Sequence, residues 1–333
     1  MFETFAAIDG FAARAPAFDE AAAAAARTRQ NSLTKPPGSL GRLEEIAVFM
    51  AGWRATARPR VARAQALVFA GNHGVCVHGV SPYPSAVTAQ MVANFRSGGA
   101  AINQLCRAAH ADLSVIALDL DQPTGDFITG PAMSEAETLD AIAQGAAAVD
   151  TQADILVLGE MGIGNSTIAA ALACALFGGE PADWVGPGTG ADAAGMARKA
   201  RVIAQGLERH GEARGMALMS ALGGREQAAI CGAVLAARAA RIPVVLDGFI
   251  CTAAAAVLHG VAPGLLDHAL VGHASAEPGH RRLLAALGKQ PVLAFDMRLG
   301  EGSGAALALG IVRAALECHN GMATFGEAGV SEA

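Results

Sequence analysis

The sequence contains few charged and few aromatic residues, at 16% and 5% of its 333 positions. Hydrophobic residues make up 53%, so the chain can bury a large core, and disorder is expected only at its ends. The basic residues are scattered, and the formal net charge is −6. A nucleic-acid-binding surface needs clustered basic residues and is therefore not expected.

The sequence predicts neither a membrane-spanning helix nor a signal peptide. Two long uncharged stretches, 161–179 and 248–266, are interrupted by polar residues, glycine or proline, whereas a spanning helix needs about 20 mainly apolar residues. The amino terminus carries Glu3 and Asp9 and no basic segment of the kind that begins a signal peptide. We therefore expect a cytoplasmic protein with neither a membrane nor a nucleic acid as partner.

The cysteine and histidine spacings do not match those of common metal sites. The six cysteines are widely spaced, with no CxxC pair, and most lie among small or apolar residues. His73 is not part of an HxH or HExxH motif. We expect buried free thiols and no disulfide frame, zinc site or other metal.

Short apolar runs alternate with helical stretches along most of the chain. This alternation indicates parallel strands joined by crossover helices. A solenoid would show a repeat of fixed period, and the sequence has none. The expected strands are 66–70, 113–118, 155–158, 243–246, 269–271 and 292–295. Helices are expected around 1–30 with a break near Pro16, and around 39–54, 87–109, 135–150, 165–177, 192–212, 225–240, 250–259, 278–287 and 303–318.

Each expected strand ends at polar or glycine residues. In a parallel sheet these carboxyl ends lie along one edge, and ligands bind in the crevice outside it. Six such ends in succession favour a shared site over six separate helix caps. The residues concerned are Gly71–His73, Asp119, Gly159–Glu160, Asp247–Gly248, Gly272–Ser275 and Asp296.

Glu301 lies in the glycine-rich turn between the last expected strand and an Ala/Leu-rich helix. The neighbouring Gly300 and Gly302 leave room for a ligand or for another backbone segment. A lone glutamate in such a turn is more often solvated. Its interpretation as a functional carboxylate therefore depends on the other strand-end residues.

Two glycine loops have the form of anion-binding turns. Residues 162–167 follow a strand and begin a helix, where backbone N–H groups can hold an anion. The loop matches neither the dinucleotide fingerprint nor the P-loop, so a single phosphate suits it better, although a tight turn with a Ser/Thr cap also explains it. Residues 186–190 form the second loop. Lys199 can neutralise a phosphate there, and Ser275 can donate a hydrogen bond to it.

The segment Val75–Phe95 contains no Asp, Glu, Lys or Arg but carries several polar side chains. Such a segment suits a flat, apolar heterocycle. A hydrophobic flap over the core is the other interpretation. The polar and flexible candidates for base contact are Ser81, Tyr83, Gln90 and Met91.

Taken together, the motifs resemble the nicotinate-nucleotide:dimethylbenzimidazole phosphoribosyltransferase (CobT) family. The resemblance covers about residues 30–318, in order, through multi-residue motifs. These include LTKPPGSLGRLE (33–44), GNHGV (71–75), the segment GVSPYP followed by VT, QMV, NF and GGAAIN (79–103), GEMGIGNST (159–167), VGPGTG (185–190), ALGGREQAAICGA (221–233), VVLDGFI (244–250), the segment GHASAEPGH (272–280) and FDMRLGEGSGAALAL (295–309).

The resemblance implies a reaction and a site. Ribose 5-phosphate would pass from nicotinate mononucleotide to 5,6-dimethylbenzimidazole, with inversion at C1′, giving nicotinate and α-ribazole 5′-phosphate for the lower nucleotide loop of cobalamin. It implies Glu301 as the catalytic base and no cofactor, and Glu160 is our candidate for a second carboxylate that stabilises an oxocarbenium-like transition state. The expected ribosyl-phosphate contacts are Gly162, Gly164, Asn165, Ser166, Thr167, Gly188, Thr189, Gly190, Lys199 and Ser275, and Leu299 joins the base contacts Ser81, Tyr83, Gln90 and Met91.

The resemblance also implies a Rossmann-like three-layer α/β/α domain with a mostly parallel sheet at 61–304. A small helical domain would combine residues 1–60 and 305–333, and the chain would form a homodimer.

Two alternative functions remain open. One is the same transfer to another base, such as adenine or a phenol; a phenol usually needs extra activation beside the base, and no paired partner for that is evident. The other is a non-catalytic binder of nucleotides or α-ribazole, which has no need for an ionisable residue at Glu301.

Overall fold

The computed structural model describes residues 2–188 and 190–331. Its centre is a parallel sheet of six strands, as the sequence predicted, in the spatial order β2-β1-β3-β4-β5-β6. The strands are β1 (Ala64–Ala70), β2 (Ala111–Ala117), β3 (Ile155–Met161), β4 (Val244–Leu246), β5 (Ala269–His273) and β6 (Pro291–Leu293).

Helices connect and cover the strands, and most lie where the sequence predicted them. In chain order they are α1 (Phe5–Asp9), α2 (Glu20–Ser32), α3 (Arg42–Arg54), α4 (Ala86–Arg96), α5 (Ala101–Ala109), α6 (Glu135–Ala147), α7 (Asn165–Phe177), α8 (Ala193–His210), α9 (Met216–Leu222), α10 (Arg225–Ala239), α11 (Phe249–Val261), α12 (Pro278–Leu287), α13 (Ser303–Gly321) and α14 (Phe325–Ala328).

One predicted helix is wrong, and two helices, α9 and the four-residue α14, were not predicted. The stretch 87–109 is two helices, α4 and α5, because Gly98 takes a φ of +79° that a right-handed helix cannot contain. Helix α9 is a short segment between Gly215 and Gly223. Its residues are almost all buried, so it has no polar face from which helical periodicity can be recognised.

Both faces of the sheet are covered, which gives three layers. Leu67 and Phe69 of β1 face one core together with residues of α6, α7, α10 and α11. Val68, between them, faces the other core with residues of α5 and α13. Successive residues of a strand point to opposite faces, so apolar residues at all three positions are typical of a parallel sheet buried on both sides.

The two ends of the chain lie together. Leu33 forms an antiparallel bridge with Thr324, and the Arg29 guanidinium donates hydrogen bonds to the carbonyl of His319 and to neighbouring carbonyls. Helix α13 also packs on the sheet, where Leu309 shares a core with Val68. The division into a domain of 61–304 and a small domain of 1–60 and 305–333 remains a prediction. Across the described ranges, no helix has the length and apolarity needed to cross a bilayer.

The strand order determines where a ligand can bind. The chain runs from β1 to β2 on one side and then to β3 on the other, so the connections leave the β1–β3 pair in opposite directions. In open parallel sheets, ligands bind outside the carboxyl ends of the strands near this point of reversal.

Candidate active site

A crevice lies at the carboxyl ends of the strands and is lined by residues that follow β3, β4, β5 and β6. Glu160 comes from β3, Asp247 follows β4, His273 ends β5, and Glu301 lies in the turn after β6. The prediction that strand ends share one site therefore holds for the ends of β3, β4 and β5, whereas the predicted residues Gly71–His73 after β1 and Asp296 after β6 do not line the crevice. Asp119, which follows the edge strand β2, does not line the crevice.

Glu301 is buried, at 7% exposure, and has an unusual backbone conformation. Its φ is +66°, and the flanking Gly300 and Gly302 have φ values of +85° and +83°. A left-handed glutamate costs free energy, on the order of 1–3 kcal/mol, unless its surroundings impose that conformation. Here the Asp247 carboxylate accepts hydrogen bonds from the N–H groups of Gly302 (3.1 Å) and Ala305 (2.9 Å), which fixes the turn.

Glu160 lies beneath this turn. Its carboxylate accepts a hydrogen bond from the Asn165 side chain at the start of α7, and a methyl group on Gly300 would come within 2.7 Å of Glu160 Oε1. Gly159 approaches the same turn, because a Cβ there would lie 2.5 Å from the Gly302 nitrogen. The glycines thus allow the turn that carries Glu301 to pack directly on the strand that carries Glu160.

Burial perturbs both glutamates. It raises the pKa of Glu160 to about 8, with further contributions from Asp247, Glu226 and Glu301 that outweigh the opposing Asn165 hydrogen bond. Burial, assisted by Asp247, raises the pKa of Glu301 to about 7. Near neutral pH, Glu160 is therefore mainly protonated, whereas Glu301 is poised to accept a proton, as a general base requires.

The other side of the crevice carries positive charge. The Lys199 ammonium is 3% exposed and donates hydrogen bonds to Ser166 Oγ (3.1 Å) and the Gly186 carbonyl (3.2 Å). Burial lowers the pKa of Lys199, and the nearby Glu277 carboxylate opposes that change. Since Ser166 lies in the first turn of α7, this cation is close to a helix N-terminus, which also favours an anion.

The second glycine loop is held from two sides. The Gly188 N–H donates to Glu277 Oε1 (2.9 Å), and the Gly188 carbonyl accepts from Arg298 Nη1 (2.8 Å). Burial raises the pKa of Glu277, whereas the Gly188 hydrogen bond, Lys199 and Arg298 lower it. The N–H of Gly188, predicted as a phosphate donor, is therefore already engaged by a carboxylate.

Most of the predicted site residues line this one crevice. They are Glu301, Glu160, Gly162, Gly164, Asn165, Ser166, Gly188, Lys199, Ser275, Ser81 and Leu299.

The remaining predicted residues do not line it. Thr167 is fully buried in α7, Tyr83 is 51% exposed, Met91 packs against the core around β1, and Gly190 and Gln90 are exposed. Thr189 lies outside the described residues. Their roles in phosphate and base binding remain predictions.

Four charged or polar residues of the crevice were not predicted as site residues: Asp247, His273, Glu277 and Arg298. Asp247 and His273 were predicted to lie among the strand-end residues of a shared site, but the sequence assigned neither of them a role in binding or catalysis. Glu277 was interpreted as a helix start, and it does precede α12. Within the described ranges, no group of three or more His, Cys, Asp or Glu side chains is arranged to hold a metal ion.

A doubly wound parallel sheet that brings buried carboxylates and a helix N-terminus into one crevice is the arrangement of an α/β enzyme acting on a small substrate. A family model described as phosphoribosyltransferase matches residues 15–330.

The chain belongs to the nicotinate-nucleotide–dimethylbenzimidazole phosphoribosyltransferase family, as its motifs predicted. It is 66% identical over 331 residues to the enzyme of that name from Rhodobacter capsulatus, covering 99% of each chain. It is 58% identical over 333 residues to the one from Novosphingobium aromaticivorans, covering 99% of this chain and 98% of the relative.

A solved structure confirms the predicted fold class. The nicotinate-nucleotide–dimethylbenzimidazole phosphoribosyltransferase of Thermus thermophilus is 41% identical to this chain and superposes with a TM-score of 0.89. The match covers 95% of this chain and all of the solved chain.

Proposed function

We propose that this chain transfers ribose 5-phosphate from nicotinate mononucleotide to 5,6-dimethylbenzimidazole, giving α-ribazole 5′-phosphate and nicotinate. The observation that carries the proposal is the pair of buried carboxylates, Glu160 and Glu301, in the crevice of a chain that matches a member of this family over 99% of both lengths. A protein that only bound the nucleotide would have no use for a carboxyl group with its pKa raised to about 7 in a strained turn.

The proposed chemistry needs one proton transfer. A benzimidazole nitrogen attacks C1′ of the ribose, the bond from C1′ to the pyridine nitrogen breaks, and that bond's electron pair leaves with nicotinate. The attacking ring then gives up its N–H proton, and the Glu301 carboxylate accepts it. Attack on the face opposite the leaving group inverts the configuration at C1′.

Glu160 has a different part in the proposal. The nucleotide carries a positive charge on its pyridine ring, and this charge moves toward the ribose as the bond breaks. Positive charge nearby favours the ionised form of a carboxyl group and lowers its pKa. Substrate binding would therefore ionise Glu160 where its negative charge stabilises the transition state.

The phosphate would bind at the beginning of α7. Gly162, Gly164 and Ser166 line the crevice there, and the Lys199 ammonium is 3.1 Å from Ser166 Oγ. The engagement of the Gly188 N–H by Glu277 favours this site over the second glycine loop. The base would bind nearer Ser81 and Leu299.

Product analysis tests the proposal. The purified protein would be incubated with nicotinate mononucleotide and, separately, dimethylbenzimidazole, adenine and a phenol, and products identified by liquid chromatography and mass spectrometry. We expect the α-riboside phosphate of dimethylbenzimidazole and an equal amount of nicotinate. If adenine or the phenol gives more product, that base is the preferred substrate instead of dimethylbenzimidazole. If no base gives a product, the transfer reaction is contradicted and a non-catalytic binding function is favoured.

Two further parts of the proposal are a homodimer and a cytoplasmic location. Light scattering coupled to size-exclusion chromatography tests the first, since each chain has a mass of 33.5 kDa. A mass of one chain across the working concentration range would contradict the dimer.

A further inference from the structure

Two sequence motifs, GNHGV (71–75) and ALGGREQAAICGA (221–233), have no part in the proposed chemistry and meet behind the crevice. His73, in the segment after β1, and Glu226, in the first turn of α10, are both fully buried. Nε2 of His73 lies 3.1 Å from Oε1 of Glu226. Neither side chain lines the crevice, so neither is placed to touch a substrate.

Three glycines from separate segments enclose this pair. A Cβ on Gly71 would lie 2.5 Å from Glu226 Oε2, one on Gly224 would lie 2.5 Å from His73 Cε1, and one on Gly162 would lie 2.8 Å from His73 Nε2. These separations are too short for any side chain. The imidazole and carboxylate therefore pack directly against the backbone of three segments.

Gly162 connects the pair to the crevice. It begins the turn into α7, and its carbonyl accepts a hydrogen bond from the Asn165 backbone N–H. The Asn165 side chain donates in turn to the Glu160 carboxylate. The Gly71 N–H also donates to the Met161 carbonyl, so the end of β1 and the turn are held together.

We propose that His73 and Glu226 form a positioning pair that fixes the turn of residues 162–165, so that Asn165 holds Glu160 in its working orientation. The inference rests on the proposed transfer reaction for its effect on rate. It goes beyond that reaction by assigning a role to two residues that touch neither substrate.

Charge gives the pair a second, measurable effect on Glu160. Glu226 is among the carboxylates that raise the pKa of Glu160, so Glu226→Gln should lower that pKa while keeping the side-chain shape. The groups facing Glu160 from the surrounding elements are Asp247 after β4, Glu226 on α10, Glu301 before α13, Asn165 on α7 and Cys251 on α11.

The first experiment measures turnover of the full-length enzyme carrying His73→Gln. We expect kcat to fall about 10- to 100-fold, because small displacements of reacting groups have costs of this order, while KM for either substrate changes less. The matched control is His268→Gln, which also replaces a fully buried histidine but at the amino end of β5, away from the crevice. Equal losses of kcat in both variants would overturn the proposal.

The second experiment needs no substrate. Between pH 4.5 and 8, Glu160 is protonated in the folded chain and ionised in the unfolded chain, so its contribution to stability is lost as pH rises through this window. The melting temperatures of the wild type and Glu160→Gln should therefore diverge with pH. In a Glu226→Gln background this divergence should be smaller and should end at lower pH.

The two experiments separate the two hypotheses. Suppose that the pH-dependent difference in melting temperature caused by Glu160→Gln is the same in the Glu226→Gln background, and that His73→Gln has the same kcat as the His268→Gln control. These two results would contradict the positioning pair without contradicting the transfer reaction. A wild type that makes no product would remove the transfer reaction, and the melting experiment would still decide whether the pair acts on Glu160. Glu226→Gln conserves volume and keeps the test open if His73→Gln does not fold.

Discussion

Among individual residues, Glu301 shows most clearly how the structure changes the interpretation of the sequence. In the sequence it is one glutamate in a glycine-rich turn, and solvation was its ordinary interpretation. In the structure it is buried, left-handed and held by the two backbone hydrogen bonds that Asp247 accepts around it. A strained residue persists only where its surroundings over-determine it, and such residues concentrate at functional sites.

Replacing the proposed base tests this residue directly. Glu301→Gln should lower kcat by about 10²- to 10⁴-fold, the usual contribution of a general base, and should leave nucleotide affinity nearly unchanged. Steady-state kinetics and calorimetric titration with nicotinate mononucleotide measure the two effects. The control is Glu45→Gln at an exposed position on α3. A Glu301→Gln enzyme within a few-fold of the wild-type rate would remove the general-base role.

Lys199 provides a test of the phosphate site. Lys199→Ala removes the buried ammonium beside Ser166 and should raise KM for the nucleotide more than KM for the base. Arg201→Ala is the matched control, because Arg201 is an exposed cation on the same helix, α8. Initial-rate measurements with each substrate varied in turn check this, and an unchanged nucleotide KM would place the phosphate elsewhere.

At the scale of elements, the site depends on how closely β3 approaches the turn before α13. Gly159 makes that approach possible, since a Cβ there would lie 2.5 Å from the Gly302 nitrogen. We expect Gly159→Ala to destabilise the fold by about 1–3 kcal/mol, as overpacked cores typically do.

Denaturant unfolding measures the loss, and Gly310→Ala on α13 is the control. Among the residues that the structure describes, none has an atom within 4 Å of a Cβ at Gly310, so alanine there should be neutral or stabilising for the helix. If Gly159→Ala unfolds at the same denaturant concentration as the wild type, the close approach is not a constraint on this site.

Most of the strands and helices could be predicted from the sequence. Six strands were predictable because apolar runs such as Ile155–Leu158 end at glycine or polar residues, and the carboxyl ends of parallel strands must meet. The strand ends therefore place Glu160 and the turn that carries Glu301 at one crevice, and the family resemblance adds their roles. The break at Gly98 was not predicted, although Ser97-Gly98-Gly99 is a turn signal, because the apolar pattern on both sides fits one continuous helix.

The individual hydrogen bonds between distant segments could not be predicted. Glu277 engages the Gly188 N–H across 89 positions of the chain, and Asp247 reaches the turn at Gly302 across 55. The local sequence correctly predicts that Glu277 precedes a helix beginning with Pro278. Its second role depends on the folded arrangement of α8, α12 and the glycine loop.

For the whole molecule, two buried histidines contribute a loss of stability in acid. Burial lowers the pKa of both His268 and His280 to about 3, with Arg238 contributing for the first and His273 for the second. These histidines take up protons in the unfolded chain near pH 6.5 but resist them in the folded chain. The stability they contribute is therefore present above about pH 6.5 and is lost as pH falls toward 3.

Thermal melts as a function of pH test this expectation. The melting temperature of His268→Gln should rise relative to that of the wild type as pH falls below about 6.5, because only the wild type carries the loss from His268. Glu160 and Glu301, whose raised pKa values give the opposite pH dependence, contribute equally to both proteins. Parallel pH dependences for the two proteins would mean that His268 does not resist protonation in the folded state.

The central claim is that a buried carboxylate, Glu301, accepts the proton of the attacking base in a crevice built from strand ends. The most direct measurement is the pH dependence of kcat/KM for dimethylbenzimidazole, compared at each pH with the ionisation of the free base in solution. With Glu301 as the base, an enzyme group must be deprotonated with a pKa near 7, so the rate should fall on the acidic side of that value. A profile whose only enzyme ionisation lies near 4.5, the ordinary value for a glutamate, would contradict the account.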